Sequence, residues 1–356
     1  MKRTTTATLL ATLLFAGTAM GQATRYWNGS SGVDNNWETA ANWDTAPVPG
    51  DNANFRGKTG GAQDATAQLS SAATIGDLLI GGVGAASTQG TPTLTLKSGS
   101  ALSVTDDTQI GFSLAGDSSA AVAQLNVVDG THSFTDLFNI GNVAGVGNAN
   151  AANGSVTVSG GSLSLAAIGK IATRGATATG ASSGTLTLEG GLLTSTKTGV
   201  GFYVGDYGNG MLTLDGGNAT FAGNVNVAQQ SGSSGTISLL DGNLHANTVT
   251  LGSGDASLEI GEGFLTMNLN RNGLVAGWIA GNDVSAVGGI VDDSTFTSVY
   301  ASGLTTVTNG SFVLKYGYDT VNAETALWSQ AIPEPATISF VLLTGCGLLA
   351  VRRIMI

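Results

Sequence analysis

The side chains able to do acid–base or ligand chemistry are few and widely spaced. Only two histidines occur, His132 and His245, and histidine is the side chain whose ordinary pKa lies close to neutrality. Each follows an Asp-Gly pair, Asp129-Gly130 and Asp241-Gly242, an equivalence that would allow one shared face; the expectation is surface or turn residues rather than ligands. Adjacent carboxylates occur as Asp106-Asp107 and Asp292-Asp293. A glycosidase needs two carboxylates facing one bond, whereas neighbours on a strand point to opposite faces. Asp206-Tyr207-Gly208-Asn209-Gly210 and the Asp-Gly corners offer oxygen ligands of the kind calcium takes, but the Gly-Gly-x-Gly-x-Asp repeat of calcium-binding β-rolls is absent. No His-Glu-x-x-His, Gly-x-Ser-x-Gly or phosphate-loop motif is present. The single cysteine, Cys346, lies near the C-terminus, so the body holds no disulfide, thiolate nucleophile or Cys-based metal site. The expectation is no catalytic residue, no bound metal and no cofactor.

The elements that would position these residues follow from an internal repeat. One phrase recurs: apolar-x-apolar, a Gly-rich turn, then a second apolar pair. It runs through Leu94-x-Leu96, Leu125-x-Val127, Val156-x-Val158, Leu186-x-Leu188, Leu212-x-Leu214, Ile237-x-Leu239 and Leu258-x-Ile260. Alternating apolar residues mark a strand with one face inward. The following Gly-Gly or Asp-Gly supplies the positive φ of a sharp corner. A second strand follows, as in Leu163-x-Leu165, and a third phrase ends in apolar-Gly, as in Ile110-Gly111 and Ile140-Gly141. A period of this length marks a stacked architecture. The predicted fold is therefore all-β: a parallel β-solenoid, expected to be a right-handed β-helix of about seven coils and roughly 34 Å long. Hairpins of a β-sandwich compete, but would not repeat one phrase in fixed order. Variable Ala-, Gly-, Ser- and Asn-rich stretches, 145–154 and 173–184, are expected as loops at one place in each repeat.

Composition agrees. Glycine accounts for 54 of 356 residues and charged residues for only 10%, which excludes the charge-rich, apolar-poor class of disordered chains. The net charge is -11, and Lys2, Arg3, Arg352 and Arg353 supply four of the 13 basic residues. The body is more acidic still, which excludes nucleic acid as a partner because phosphate binding draws on Lys and Arg.

Residues 24–70 differ from the repeats. Trp27, Trp37 and Trp43 fall there with Tyr26 and Phe55. Such a segment serves as a cap over the open end of a solenoid; the alternative is an aromatic platform stacking on sugars. After residue 271 the phrase is lost, and the alternation Phe312, Leu314, Tyr316, Tyr318 predicts a strand of a C-terminal cap spanning 271–330. The solenoid proper is assigned to 71–270.

The two ends read as export signals. Lys2 and Arg3 precede an apolar run through Leu9, Leu10, Leu13, Leu14 and Phe15, with small residues near 19–23, the pattern of a signal peptide over 1–23. In the segment 331–356, Pro333-Glu334-Pro335 is followed by an apolar run from Ala336 to Val351 and then Arg352-Arg353. The run is near spanning length, and the arginines favour a cytoplasmic C-terminus. This arrangement resembles the PEP-CTERM sorting signal. The resemblance implies that Pro333, Glu334 and Pro335 are the recognition motif of an exosortase-type processing enzyme, with Arg352 and Arg353 as the stop signal. It implies transient membrane association through the C-terminal segment, then a place at the cell envelope, cell surface or outside the cell. The departure from the family is Ile354-Met355-Ile356 after the arginines. The stretch Tyr26-Trp27-Asn28-Gly29 … Asn42-Trp43 … Pro49-Gly50-Asp51-x-Ala53-x-Phe55 resembles the start of exported proteins with such tails. It also resembles proteins with autotransporter-associated β-strand repeats. The export signals, the repeats and the absence of a catalytic constellation predict a non-enzymatic structural or adhesive component of a bacterial surface or extracellular matrix, and the resemblance implies an association with exopolysaccharide; a β-helix polysaccharide lyase or hydrolase, or a carbohydrate-binding protein, are the alternatives.

Overall fold

A computed structural model describes residues 22–332, apart from 30–33, 58–65, 84–90, 114–119, 146 and 176–177. Residues 1–21 and 333–356 lie outside the described residues, and with them Pro333, Glu334, Pro335, Arg352, Arg353 and nearly all of the signal peptide.

The chain winds as a parallel β-solenoid of about eight turns, roughly 38 Å along the stack at the usual strand spacing. Each coil has three sides. The first column includes Thr66–Leu69, Thr93–Leu96, Ala121–Val127, Ala152–Val158 and Ser182–Leu188. The second includes Ala72–Ile75, Ala101–Val104, Thr131–Phe134, Ser162–Leu165 and Leu192–Ser195. The third includes Asn52–Gly57, Leu78–Val83, Thr108–Ser113, Phe138–Val143, Gly169–Arg174 and Val200–Val204. In the next two coils the sides run together as Asn209–Val227 and Ser234–Leu251, where the loops are shortest. Every strand of the stack pairs in parallel with its counterpart one coil away, which decides against a sandwich of hairpins.

The phrase residues are the core. Leu94, Leu125, Val156, Leu186, Leu212, Ile237 and Leu258 stand in one unbroken register, each at most 1% exposed. Along that column the step falls from 31 residues (Leu94 to Leu125) to 21 (Ile237 to Leu258). The excess is taken up where the third side returns to the first, the corner that carries 144–151 and 175–181. The additional coil beyond the expected seven begins at Thr66: Ala67 and Leu69 pair with Leu94 and Leu96. Its corner is Ser70-Ser71 rather than Gly-Gly, which hides it from the phrase. The stack also reaches into the N-terminal segment, since Thr24–Tyr26 and Asn52–Gly57 extend the third column in parallel.

Two glycines show why the corners need that residue. Gly161 sits at φ +69, and a Cβ there would strike the Gly130 carbonyl oxygen of the coil below. Gly141, also at φ +69, would drive its Cβ into the carbonyl oxygen of Ser183. Both the left-handed backbone and the close approach exclude a side chain.

The C-terminal cap holds more than the expected strands. Helix α1 (Asn272–Gly281) lays Val275 and Trp278 on the core, and Val284–Ala286 then adds a last parallel rung to the first column. Helix α2 (Ser294–Val299) follows. Three antiparallel strands, Ser302–Asn309, Phe312–Asp319 and Glu324–Ala331, complete the cap. The last of these pairs antiparallel with Phe264–Asn268 and so ends the second column. No helix among the described residues is long and apolar enough to cross a membrane.

Inward and outward positions of one strand should therefore respond very differently to truncation. Leu186→Ala is expected to cost about 2–5 kcal/mol of stability, while the outward neighbour Thr187→Ala stays within about 0.5 kcal/mol. Denaturant melts of the two variants against the parent check this; equal losses would mean that Leu186 does not carry the core.

Candidate functional site

The three tryptophans lie inside the cap. Trp27, Trp37 and Trp43 are 2%, 6% and 3% exposed. Trp43 meets Trp27 and Trp37 edge-on at 5.1 and 4.8 Å, and all three rings lie 5.4–5.6 Å from Phe55. The Trp43 indole Nε1 donates to the Trp37 carbonyl at 2.8 Å. With their faces spent on one another, these rings leave none for a sugar, which corrects the platform alternative. The Pro-Gly-Asp-x-Ala-x-Phe stretch serves the same seal. Gly50 turns the chain at φ +90, and Ala53 and Phe55 point inward. The Asp51 carboxylate accepts from Arg25 Nε at 2.6 Å and from the Ala23 and Val48 N–H groups. Burial alone would raise the Asp51 pKa, but these hydrogen bonds and the Arg25 charge bring it below the usual value.

The two histidines do not share a face. His132 occupies an inward position of the second column, beside Leu102 and Leu163, and is fully buried. Its Nδ1 accepts the Leu102 N–H at 3.1 Å, and its Nε2 lies 3.0 Å from the Asp129 carbonyl. That pairing holds the ring as the neutral Nε2–H tautomer, and burial pushes its pKa down. His245 pairs instead with the outward Thr220; its Nδ1 lies 2.9 Å from Thr266 Oγ1 and 3.8 Å from a Glu324 oxygen. A one-residue difference in distance from the turn sends the two rings to opposite sides of the strand.

The acidic residues do assemble at one place. Asp106 and Asp107 lie on the corner between the second and third sides, not on a strand, so alternation does not separate them. Oxygens of Asp106, Asp107 and Asp136 fall within 4.8 Å of one another. Asp77, one coil below, accepts the Asp107 N–H at 3.1 Å and Asn52 Nδ2 at 2.7 Å. Burial raises the pKa of Asp77 and Asp107; for Asp107 the charges of Asp136, Asp106 and Asp77 add to it. The ion pairs of Arg25 with Asp51, Lys170 with Asp206 and Lys315 with Asp293 all lie elsewhere. Three close carboxylates in this setting have the chemistry of a hard divalent-cation site. The signal was present in the sequence: an Asp stands four or five residues before Gly81, Gly111 and Gly141 in successive coils, and Ala167-Ile168 ends the series.

The other carboxylates singled out are already engaged. Asp206 is buried, taking Lys170 Nζ at 3.0 Å and Thr173 Oγ1 at 3.1 Å, which leaves it unsuited to a calcium loop. Asp293 accepts from Lys315 Nζ at 2.7 Å and Trp328 Nε1 at 2.9 Å; its neighbour Asp292 only caps Ser294. Beyond these groups the second side presents a row of hydroxyls. Thr74, Ser103, Ser133, Ser164, Thr194 and Thr220 form a continuous outward column on the second side.

Comparison with protein-family models, curated proteins and solved structures returned no match.

The acidic corner makes a prediction with a definite sign. Because the folded-state pKa of Asp107 is raised, its ionisation costs stability, a cost that is absent below the ordinary carboxylate value of about 3.9 and grows as pH rises through the folded-state value. Asp107→Asn, which can still accept the Leu137 N–H, is expected to raise the thermal midpoint at pH 7, with the gain fading as pH approaches 3. Millimolar calcium should raise the parent's midpoint more than the variant's. Identical calcium responses in the two would remove the corner as a cation site.

Proposed function

We propose that this chain is an exported, non-enzymatic β-solenoid acting as a structural or adhesive component of the bacterial cell surface or exopolysaccharide matrix. The observation that carries the reading is the outer surface of the rod. It presents long axial rows of neutral hydroxyl and amide groups, such as Thr95, Asn126, Thr157, Thr187 and Thr213 on the first side. Such rows make many weak hydrogen bonds to a hydroxyl-rich polymer, directly or through water. Export rests on the two terminal segments, whose order of charge, apolar run and Pro-Glu-Pro motif supports delivery across a membrane and handling by an exosortase-type enzyme.

A second reading, a polysaccharide hydrolase or lyase on a β-helix, draws its support from the Asp106–Asp107–Asp136 corner, since hydrolysis needs two carboxylates about one bond. Two measurements separate them. On the first reading the exported protein co-sediments with matrix polysaccharide, releases no soluble sugar, and shows by mass spectrometry a mature N-terminus near residue 23 and a C-terminus near Pro333. Sugar release abolished by Asp107→Asn would install the second reading, and failure to bind either cells or matrix would end the first.

A further inference from the structure

The strand Ser302–Asn309 forms the outer edge of the C-terminal antiparallel sheet, and among the described residues its only strand partner is Phe312–Asp319. The hairpin between them has a two-residue loop, Gly310-Ser311, with Gly310 at φ +62. Asn309 and Phe312 face each other across that loop, as the hydrogen-bonded pair that closes such a hairpin. Bonding then alternates: Val307 and Thr305 bond inward to Leu314 and Tyr316, while the N–H and C=O groups of Thr306 and Thr308 point away from the sheet. Thr306 and Thr308 are exposed.

This edge lacks the usual protection. Natural sheets blunt their edges with short strands, prolines or charges, and the other ends of this molecule do so. Thr24–Tyr26 and Val284–Ala286 are three residues long, and Pro47-Val48-Pro49 lies against Ala72–Ile75. Ser302–Asn309 carries no charge and no proline; the ladder is irregular between Ser302 and Thr305, and the regular edge is the five residues Thr305–Asn309.

We propose that the occupant of this edge is a second copy of the chain, paired antiparallel about a two-fold axis at Val307. In that register Thr306 faces Thr308 of the partner subunit and the reverse, so the four outward N–H groups find the four outward carbonyls. The two Val307 side chains meet as a non-hydrogen-bonded pair, where side chains are closest. The pairing is self-complementary, as a two-fold interface must be. Because the strand carries no charge, the pairing sets no like charges face to face in a chain with a net charge of -11.

The test uses the full chain in mild detergent, in a Cys346→Ser background that leaves no other thiol. Sedimentation velocity at micromolar concentration should show a dimer. Thr306→Pro removes an outward donor without breaking a bond inside the sheet, and Thr308→Lys places a charge on the edge. Either should shift the protein to monomer with an unchanged circular-dichroism melt. Val307→Cys should oxidise to a covalent dimer, because facing Cα atoms of such a pair sit about 4.5 Å apart; the exposed control Thr185→Cys on the rod should not. A monomeric parent overturns the proposal, as does association that survives both edge variants or a Val307→Cys protein that stays reduced.

Discussion

Everything in this structure depends on the parallel stacking of coils that cannot stand alone. One coil holds only a few inward side chains, such as Leu186 and Leu188 with Leu193, Phe202 and Val204. Alone it would expose both faces of that layer together with its backbone N–H and C=O groups. Stacked, the same residues form columns at most a few per cent exposed, and each backbone group pairs with the coil above or below. Stability is thus a nearest-neighbour property along the rod, and with no cysteine in the body no disulfide supplements it. That dependence explains the two caps. The first described coil would otherwise present open core, and it is closed by Trp27, Trp37, Trp43 and Phe55 packed ring on ring. The last is closed by Trp278 of α1 and by a strand that reverses direction.

Polar residues inside the columns show how much departure the stack tolerates. His132 replaces a leucine-type position but satisfies both ring nitrogens, one on the Leu102 N–H and one on the Asp129 carbonyl. Thr108 lies inward between Leu78 and Phe138 in the third column, and Ser195 lies inward in the second beside Phe221. The hydroxyls of Thr108 and Ser195 have no hydrogen-bond partner among the described residues, each a cost of about 1–3 kcal/mol. The apolar columns on either side absorb such costs because the loss is local to one rung. The acidic corner is a different kind of departure. Its strain is electrostatic, it spans three successive coils, and it stops where Ala167 takes the place of a carboxylate.

Legibility followed the same physics. The alternation of Leu94-x-Leu96 and its successors reports a half-buried strand directly, and a constant strand order between corners can be met only by stacking. The coil at Thr66–Val83 was hidden because its corner is Ser70-Ser71 and its first inward residue is Ala67, so neither half of the phrase is distinctive. Helix α1 was hidden because Gly273, Gly277 and Gly281 give its sequence the composition of the turns around it. The carboxylate corner was readable only by comparing equivalent positions across coils, since the rule that separates Asp106 from Asp107 on a strand fails at a bend. Burial of the tryptophans was legible as capping, whereas the reversal of His132 and His245 was not: it hinges on a single residue of register after the turn.

The way the rod ends has a consequence for its surface. A parallel stack can be continued by any strand in register, so a bare last coil would invite axial growth. Pairing Phe264–Asn268 with the antiparallel Glu324–Ala331 closes the second column to further parallel rungs. It does not abolish the edge, however, because the closing strand brings two more with it, and the outermost, Ser302–Asn309, inherits the unpaired backbone groups. The reversal therefore replaces a parallel edge by an antiparallel one. A parallel edge accepts the next copy head to tail and leads to open filaments, while an antiparallel edge is satisfied by one copy related by a two-fold and then closes. For a stack held by core burial and backbone ladders without a disulfide, that trade of unlimited for limited association is a physical reason for an antiparallel cap on a parallel solenoid.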